Sequence, residues 1–543
     1  MKKLFPLIKN HYIEITLIIF TLSFSFWLMF KTFSYSDDSM LIAVKAWSDF
    51  GSHIPLIRSF SFGSNLPIEY PIFPGEPIKY HFLFYFLVGM LEKIGIRIDY
   101  ALNIPSAFSF FLLLLSVYFL AKLLFKSKIV GILAVVFLLF NSSFSFLEFF
   151  KTHSFSFQII SQIVQNNTFP SFGPYDGKIV SAFWNLNIYT NQRHLAIGAA
   201  FLVLFVWFVY KYSRLDKQIN RLLILLWILL VGALPYIHFG IFIMLYPISS
   251  ILFILLPRAR LIIFAILFYG GILALPSIFH LQSGASTSNI GLYFGFLSSD
   301  KTLYGITYYW FMNLGLSLIL IPLGFLFSPK DAKKLFIAIL PLFLIGNLVK
   351  FSPEIAANHK FFTIFIIFGN IFSAYALYRL WKIHFLGKFL FIPLFVIMIL
   401  SGIIDFFPIK NDLYMKVVDY PKNEDTKWIV ENTPKDALFL NASYFNNPAS
   451  IAGRKIFLGW PYFPWSLGYD TYKRDALRKS LFGQDNLAYV CSIIREYDID
   501  YIQTENRTGD VEFINHDFFE RNFQKVYNNK ETLFSIYSVK PTC

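Results

Sequence analysis

HFLFYFLVGMLEKIG, residues His81–Gly95, is the apolar run whose reading sets how the rest of the chain threads a membrane. At about fifteen residues it falls short of the roughly twenty that cross a bilayer. It reads instead as a segment lying in the interface, or dipping in and returning. Around it the chain is apolar throughout. Of 543 residues, 56% are hydrophobic, 15% are charged and 67 are Phe, and the mean hydropathy is +0.56. No soluble core holds that much apolar surface, so the composition predicts a polytopic α-helical membrane protein.

Longer apolar runs fall at 11–30, 101–121, 129–147, 194–210, 221–235, 238–256, 261–279, 306–327, 335–349, 361–380 and 389–407. They predict about eleven transmembrane helices. The first follows Lys2, Lys3 and Lys9 and contains no small-residue cleavage site, as in an uncleaved signal anchor. If His81–Gly95 does not cross, five basic clusters share the side of the N-terminus. They are Lys122, Lys126 and Lys128; Lys211, Arg214, Lys217 and Arg221; Arg258 and Arg260; Lys330, Lys333 and Lys334; and Arg379, Lys382 and Lys388. That distribution accounts for the net charge of +14 by the positive-inside rule and argues against nucleic acid as a partner. It predicts a plasma-membrane protein with a cytoplasmic N-terminus and an extracytoplasmic C-terminus.

The same arrangement gathers the polar residues on the outer face. Residues 31–100 carry Asp37, Asp38, Asp49, His53, Arg58, Glu69, Glu76, Lys79 and His81, and 148–193 opens at Glu148 and closes with Arg193 before His194. The expected domains are 1–407, a transmembrane catalytic domain whose external loop 31–100 holds an interfacial helix, and 408–543, an extracytoplasmic soluble α/β domain. In the latter, 437–441, 454–459, 500–504 and 532–539 read as strands, and NEDTKWIVENT and NLAYVCSIIREY as helices. The aromatic segment GWPYFPWSLGYD, 459–470, reads as a loop. Two cysteines, Cys491 and Cys543, give neither a disulfide framework nor a metal knuckle. The sequons at Asn441 and Asn506 lie in the segment expected outside.

Three pieces stand in a telling order: Tyr35-Ser36-Asp37-Asp38-Ser39 after the anchor, Lys79-Tyr80-His81-Phe82 opening the short helix, and Asn103-Ile104-Pro105-Ser106-Ala107 in the next span. With Glu148 at the outer end of the following span, residues 10–150 resemble GT-C membrane glycosyltransferases. The nearer likeness is to glycosyltransferase family 39, with its protein O-mannosyltransferases and aminoarabinose transferases. The chain departs from that pattern in having Asp-Asp where Asp-Glu is common and Asn103 where an arginine often stands. The resemblance implies a hexosyltransferase-type enzyme of the cell envelope. It would move sugar from a polyprenyl-phosphate-linked donor to a lipid, glycan or protein acceptor, with inversion.

An inverting displacement needs a carboxylate to take the acceptor hydroxyl's proton, while cations stabilise the departing phosphate. Asp37 is the expected base, its proton affinity raised by Asp38 and by partial burial. Glu148 is expected to position the acceptor, or to bind a divalent cation (Mg²⁺ or Mn²⁺) beside Asp37. Arg58, Arg193, His194, His359 and Lys360 are candidates for the carrier phosphate, with Glu69 and His81 as further substrate contacts. His238 reads as structural. Two other classes fit a chain of this kind: a transporter or flippase of lipid-linked sugars, and a catalytically silent scaffold for envelope assembly. Spans nearly free of charge at mid-depth disfavour transport.

Overall fold

The computed structural model describes residues 4–543 except 172, 174–176, 215–219, 284–289, 506–509 and 512, so Lys217 and the Asn506 sequon lie outside the described residues. The chain divides into two compact units: Met1–Thr32, Asn103–Leu275 and Ile290–Leu413 form one, and Phe33–Leu102, Pro276–Asn289 and Tyr414–Cys543 the other. This differs from the expected division at 407. The first polar segment belongs with the C-terminal residues, because strand pairing joins them.

The first unit is helical. Among the described residues, seven helices are long and apolar enough to cross a membrane: His11–Thr32, Ile98–Phe125, Leu195–Ser213, Arg221–Leu255, Pro257–Gln282, Ile355–Lys382 and Phe385–Lys410. An eighth crossing is available if Leu303–Leu314 and Ser317–Phe327, bent by 88°, count as one span. The difference from eleven has local causes. The run at 129–147 is helical only over Lys128–Leu139, because Phe140 is extended and a separate helix, Ser145–Thr152, follows. The run at 335–349 lies in Lys330–Leu348, whose first turns are charged. The runs at 221–235 and 238–256 are joined, with His238 (φ −163°, ψ 96°) as a non-helical break. Ile228, Val231 and Gly232 pass beside Gly270 and Leu273, while the Tyr246 hydroxyl reaches Gly271 and the Leu267 carbonyl. The helix is kinked at His238, where the Ile241 N–H donates to the imidazole Nδ1 at 3.3 Å.

Ile355–Lys382 is the hub of this unit. It is the most buried of the spans and packs against Ser317–Phe327, Lys128–Leu139, Lys330–Leu348 and Phe385–Lys410. Gly324 allows the closest of these approaches, since a Cβ there would lie 2.1 Å from the Phe372 carbonyl oxygen. Gly315 makes the 88° bend possible. Its φ is +55°, a Cβ would strike the Ser142 carbonyl oxygen, and the Ser142 hydroxyl lies 2.7 Å from both Leu314 O, to which it donates, and Ser317 Oγ.

The second unit holds most of the strands. Phe33–Ser36 and Ser39–Ala43 form a hairpin, and Ser39–Ala43 also pairs antiparallel with Tyr414–Val418, Met40 opposite Val417. His81–Gly95 contains only an eleven-residue helix, Leu83–Lys93, which packs on Trp47–Ser61. A five-stranded mixed sheet runs in the order Gln524–Asn529, Phe534–Ser538, Tyr501–Thr504, Leu438–Leu440 and Lys455–Ile456, with the last three strands parallel to their neighbours in that group. Four of these five strands fall in the segments expected from sequence. Helices Glu424–Asn432 and Leu487–Glu496 match the two helix-like stretches. The core beneath is Leu440, Phe457, Leu481, Phe482, Ile502, Phe519 and their neighbours.

Two buried arginines tie this unit together. Arg454 donates to the carbonyls of Ile429, Val430 and Thr433, the unsatisfied end of Glu424–Asn432. Arg478 donates to the carbonyls of Asn441, Ala442 and Asp510. The two cysteines, which gave no framework in the sequence, pair with each other as one bridge between Cys491 and Cys543, their Cα atoms 5.1 Å apart. Such bonds persist in oxidising compartments. The bridge closes a separation of 52 residues, so replacing both cysteines with serine is expected to lower the stability of this unit by about 2–4 kcal/mol. Chemical unfolding of the two forms, with free thiols counted before and after reduction, measures it.

Candidate active site

Asp37 and Asp38 are the two residues of the hairpin turn between Ser36 and Ser39, with φ of 51° and 50°. A two-residue hairpin loop needs positive φ at both central positions, which aspartate tolerates through its short polar side chain. The Ser39 hydroxyl donates to the Asp37 carbonyl at 3.1 Å, and the Asp38 carbonyl accepts the Asp419 N–H at 2.9 Å. Both side chains are exposed, so the partial burial on which the expected role of Asp37 rests is absent.

One carboxylate among tyrosines and histidines in this unit is Asp49, half-buried in the first turn of Trp47–Ser61. His53 follows one helical turn later on the same face. Its ring stacks on Tyr85 at 4.5 Å, and Tyr80 lies 4.1 Å from His81 and 6.2 Å from Tyr85. Tyr70 continues the series, 6.3 Å from Tyr80 and 6.1 Å from Tyr469. Lys79 sits over the Tyr469 ring at 4.2 Å and pairs with Glu76 at 3.0 Å. Burial pushes the hydroxyls of Tyr70, Tyr80 and Tyr85 above the ordinary phenol range, and the charge of Asp49 adds to the shift in each. These phenols are neutral donors at any physiological pH. A half-buried carboxylate among neutral donors and flat rings can accept a proton from an alcohol, hold a sugar ring by its faces and exclude bulk water.

Sequence reading passed over Asp49 and His53 because an Asp and a His four residues apart are common on helices; the signal was there, but weak. The other expected residues fall elsewhere. Arg58 is buried, its Nη2 2.6 Å from Asp419 and its Nε 3.3 Å from Glu92, whose carboxylate also accepts the Ser61 hydroxyl at 2.6 Å. Although burial opposes the charge, these carboxylates hold the guanidinium above its ordinary value. This pairing gives Arg58 a structural role within the unit. Glu69 is paired with Lys455 at 2.6 Å. His81 is buried beside Tyr80.

The remaining expected residues lie in the helical unit. Arg193 is fully buried and donates to Thr190 O, Asn103 Oδ1, Thr32 Oγ1 and Met29 O. These bonds tie together the ends of three helical segments of this unit. His194 precedes Leu195–Ser213, its ring 5.3 Å from that of His238. His359 is stacked on Phe183 at 4.5 Å, with Nδ1 2.8 Å from the Ala356 carbonyl, and Lys360 beside it is half-buried. Glu148 lies on Ser145–Thr152, and both of its oxygens accept from Lys151 at 2.7 Å.

Structural comparison bears on the frame that carries these groups. The crystal structure of the Archaeoglobus fulgidus oligosaccharyltransferase in the apo form is similar over 97% of this chain and 74% of that one, with a TM-score of 0.53 and 12% sequence identity. The chain has the GT-C fold. The same enzyme tethered to an acceptor peptide with an NVT sequon gives a TM-score of 0.49 at 12% identity, covering 98% of this chain and 74% of that one. The cryo-EM structure of the arabinofuranosyltransferase AftD from mycobacteria gives 0.45 at 13% identity, covering 96% and 40%. No protein-family model and no curated protein sequence matches the chain.

Arg58→Met removes the cation between two buried carboxylates, so it is expected to destabilise the protein by about 3–5 kcal/mol. Thermal unfolding of wild type and variant in the same detergent measures the loss.

Proposed function

We propose that the chain is a membrane glycosyltransferase that moves a sugar from a polyprenyl-phosphate-linked donor to an acceptor hydroxyl at the outer face of the plasma membrane. The N-terminus is cytoplasmic and the strand-rich unit extracytoplasmic. The observation that carries this reading is a GT-C fold whose polar unit holds Asp49 half-buried among tyrosines and histidines. The disulfide in the same unit suits an oxidising outer compartment.

In this reading Asp49 takes the acceptor's proton as the oxygen attacks the anomeric carbon. The carrier phosphate leaves from the opposite side, which inverts the centre. The phosphate needs little protonation, and Lys79 and His81 supply positive charge or hydrogen-bond donors on the same segment. Asp37 and Asp38 form the hairpin turn that joins this segment to the strand Tyr414–Val418. If transfer requires a divalent cation such as Mg²⁺ or Mn²⁺, EDTA abolishes it and either ion restores it.

A flippase for lipid-linked sugars is the second reading, favoured by the helix break at buried His238. Transfer from labelled polyprenyl-phosphate sugars, measured in membranes with matched amounts of folded protein, separates the two. Wild type is expected to transfer, and Asp49→Asn to lose more than about 10²-fold. Asp37→Asn is expected to change the rate by only a few-fold, since asparagine also tolerates the turn's backbone. Translocation of the labelled lipid without transfer supports the flippase instead.

A further inference from the structure

The aromatic segment 459–470, expected as a loop, contains a short helix, Tyr462–Ser466. Trp460, Tyr462 and Trp465 lie at its surface, and with Trp47 they are 38–41% exposed. Their rings belong to one strip within the strand-rich unit. Trp47 contacts Phe445 at 4.9 Å, and Phe445 stacks on Trp460 at 5.4 Å and lies 6.4 Å from Phe463. Tyr462 then bridges Phe463 and Trp465 at 6.1 and 5.9 Å. Residues Trp460–Leu467 include no charged side chain. A contiguous exposed apolar patch of this kind marks a surface that meets a partner.

Chain connectivity brings one end of the unit to the membrane surface. Phe33 follows the His11–Thr32 span directly, and only Asn411, Asp412 and Leu413 separate Tyr414 from the end of Phe385–Lys410. A step of that length spans about 14 Å at most. Both entry points share one end of the three-stranded sheet, since Phe33 pairs with Ile42 and Tyr414 with Ala43. The strip starts at that end. Trp47 follows Ala43 after one turn, closed by the Ala46 N–H on the Ala43 carbonyl, and Val44 in that turn is exposed. Asn446, next to Phe445, has its Nδ2 3.9 Å from the Sδ of Met415, the neighbour of Tyr414.

We propose that this aromatic strip is a lipid anchor: it enters the headgroup region of the bilayer that the chain spans and holds the strand-rich unit down on it. Tryptophan and tyrosine favour that depth because the body of each ring is apolar while its N–H or O–H bonds to water or headgroups. A glycan also stacks on exposed rings, but it needs polar side chains among them to fix its hydroxyls. Besides the rings' own polar atoms, Trp460–Leu467 offers only Ser466, whose hydroxyl donates to the Phe463 carbonyl. The anchor depends on the spans and not on the chemistry proposed at Asp49, so either can fail alone.

The test uses the full-length protein in phosphatidylcholine vesicles, with and without phosphatidylcholine that carries a nitroxide on its headgroup. Cys491 and Cys543 are paired, so a single introduced cysteine takes a bimane label alone. Trp465→Cys places the label on the strip. Ser466→Cys places it on the same short helix and leaves every ring in place, so the test does not hang on the loss of Trp465. Glu531→Cys is the control, exposed in the turn between Gln524–Asn529 and Phe534–Ser538, at the sheet edge opposite Lys455–Ile456. Rings about 5–10 Å deep in the headgroup boundary meet the quencher, so labels at 465 and 466 are expected to lose about half their emission or more, and the label at 531 little.

Quenching at 465 and 466 no greater than at 531 overturns the anchor. Iodide, a water-soluble quencher, serves as the second probe. Protection of the two strip labels from iodide by added soluble oligosaccharides, without quenching by the lipid nitroxide, also overturns it and makes the strip a glycan platform. Protection from iodide by the bilayer itself, together with quenching by the lipid nitroxide, supports the anchor.

Discussion

A guanidinium sealed from water is tolerable only beside compensating charge, and Arg58 has Glu92 and Asp419 on either side. Those three residues come from the Trp47–Ser61 helix, the Leu83–Lys93 helix and the residue just after strand Tyr414–Val418. The ion cluster therefore fixes two helices of the first polar segment and the beginning of the C-terminal segment against one another. The backbone adds to it, because the Asp419 N–H donates to the Asp38 carbonyl at the tip of the hairpin. Asp49 and His53 ride on the same helix as Arg58, nearer its start, and inherit its position.

The site built on that frame is assembled mostly from rings. Tyr70, Tyr80, Tyr85, Tyr469, His53 and His81 stand in successive contact. Rings of this kind lose little conformational freedom when ordered, having two rotatable bonds each. They set a shape in which one carboxylate can be kept half-dry without being buried outright. Asp49 is the half-buried carboxylate on the helix that carries His53 of this series.

Much of this was legible in the sequence because it is local. Apolar runs gave the helices, and alternation in ALFLN, DYIQT and TLFSIYSV marked strands that the structure contains. The shortness of the helix within His81–Gly95, Leu83–Lys93, is likewise readable from the length of the apolar run. What escaped depends on distant partners. YMKVV at 414–418 is an ordinary segment until it meets Ser39–Ala43. Nothing near Arg58 in sequence reveals its partner Asp419, 361 residues away. The acidic pair drew attention as chemistry while serving as a turn, since positive φ leaves no trace in residue order. The Cys491–Cys543 bond and the kink at His238 are equally invisible until the chain is folded.

The pairing of Ser39–Ala43 with Tyr414–Val418 also sets a clock on synthesis. The hairpin leaves the ribosome early, whereas its partner strand arrives about 370 residues later. At the usual pace of roughly 5–20 residues per second, the open strand edge waits some twenty to seventy seconds. Throughout that interval Arg58 also lacks Asp419. A chain stalled before its last long helix cannot complete either contact, so it displays an unpaired edge that a quality-control protease or chaperone can recognise. Completion of the strand-rich unit thus reports that nearly every helix has been made.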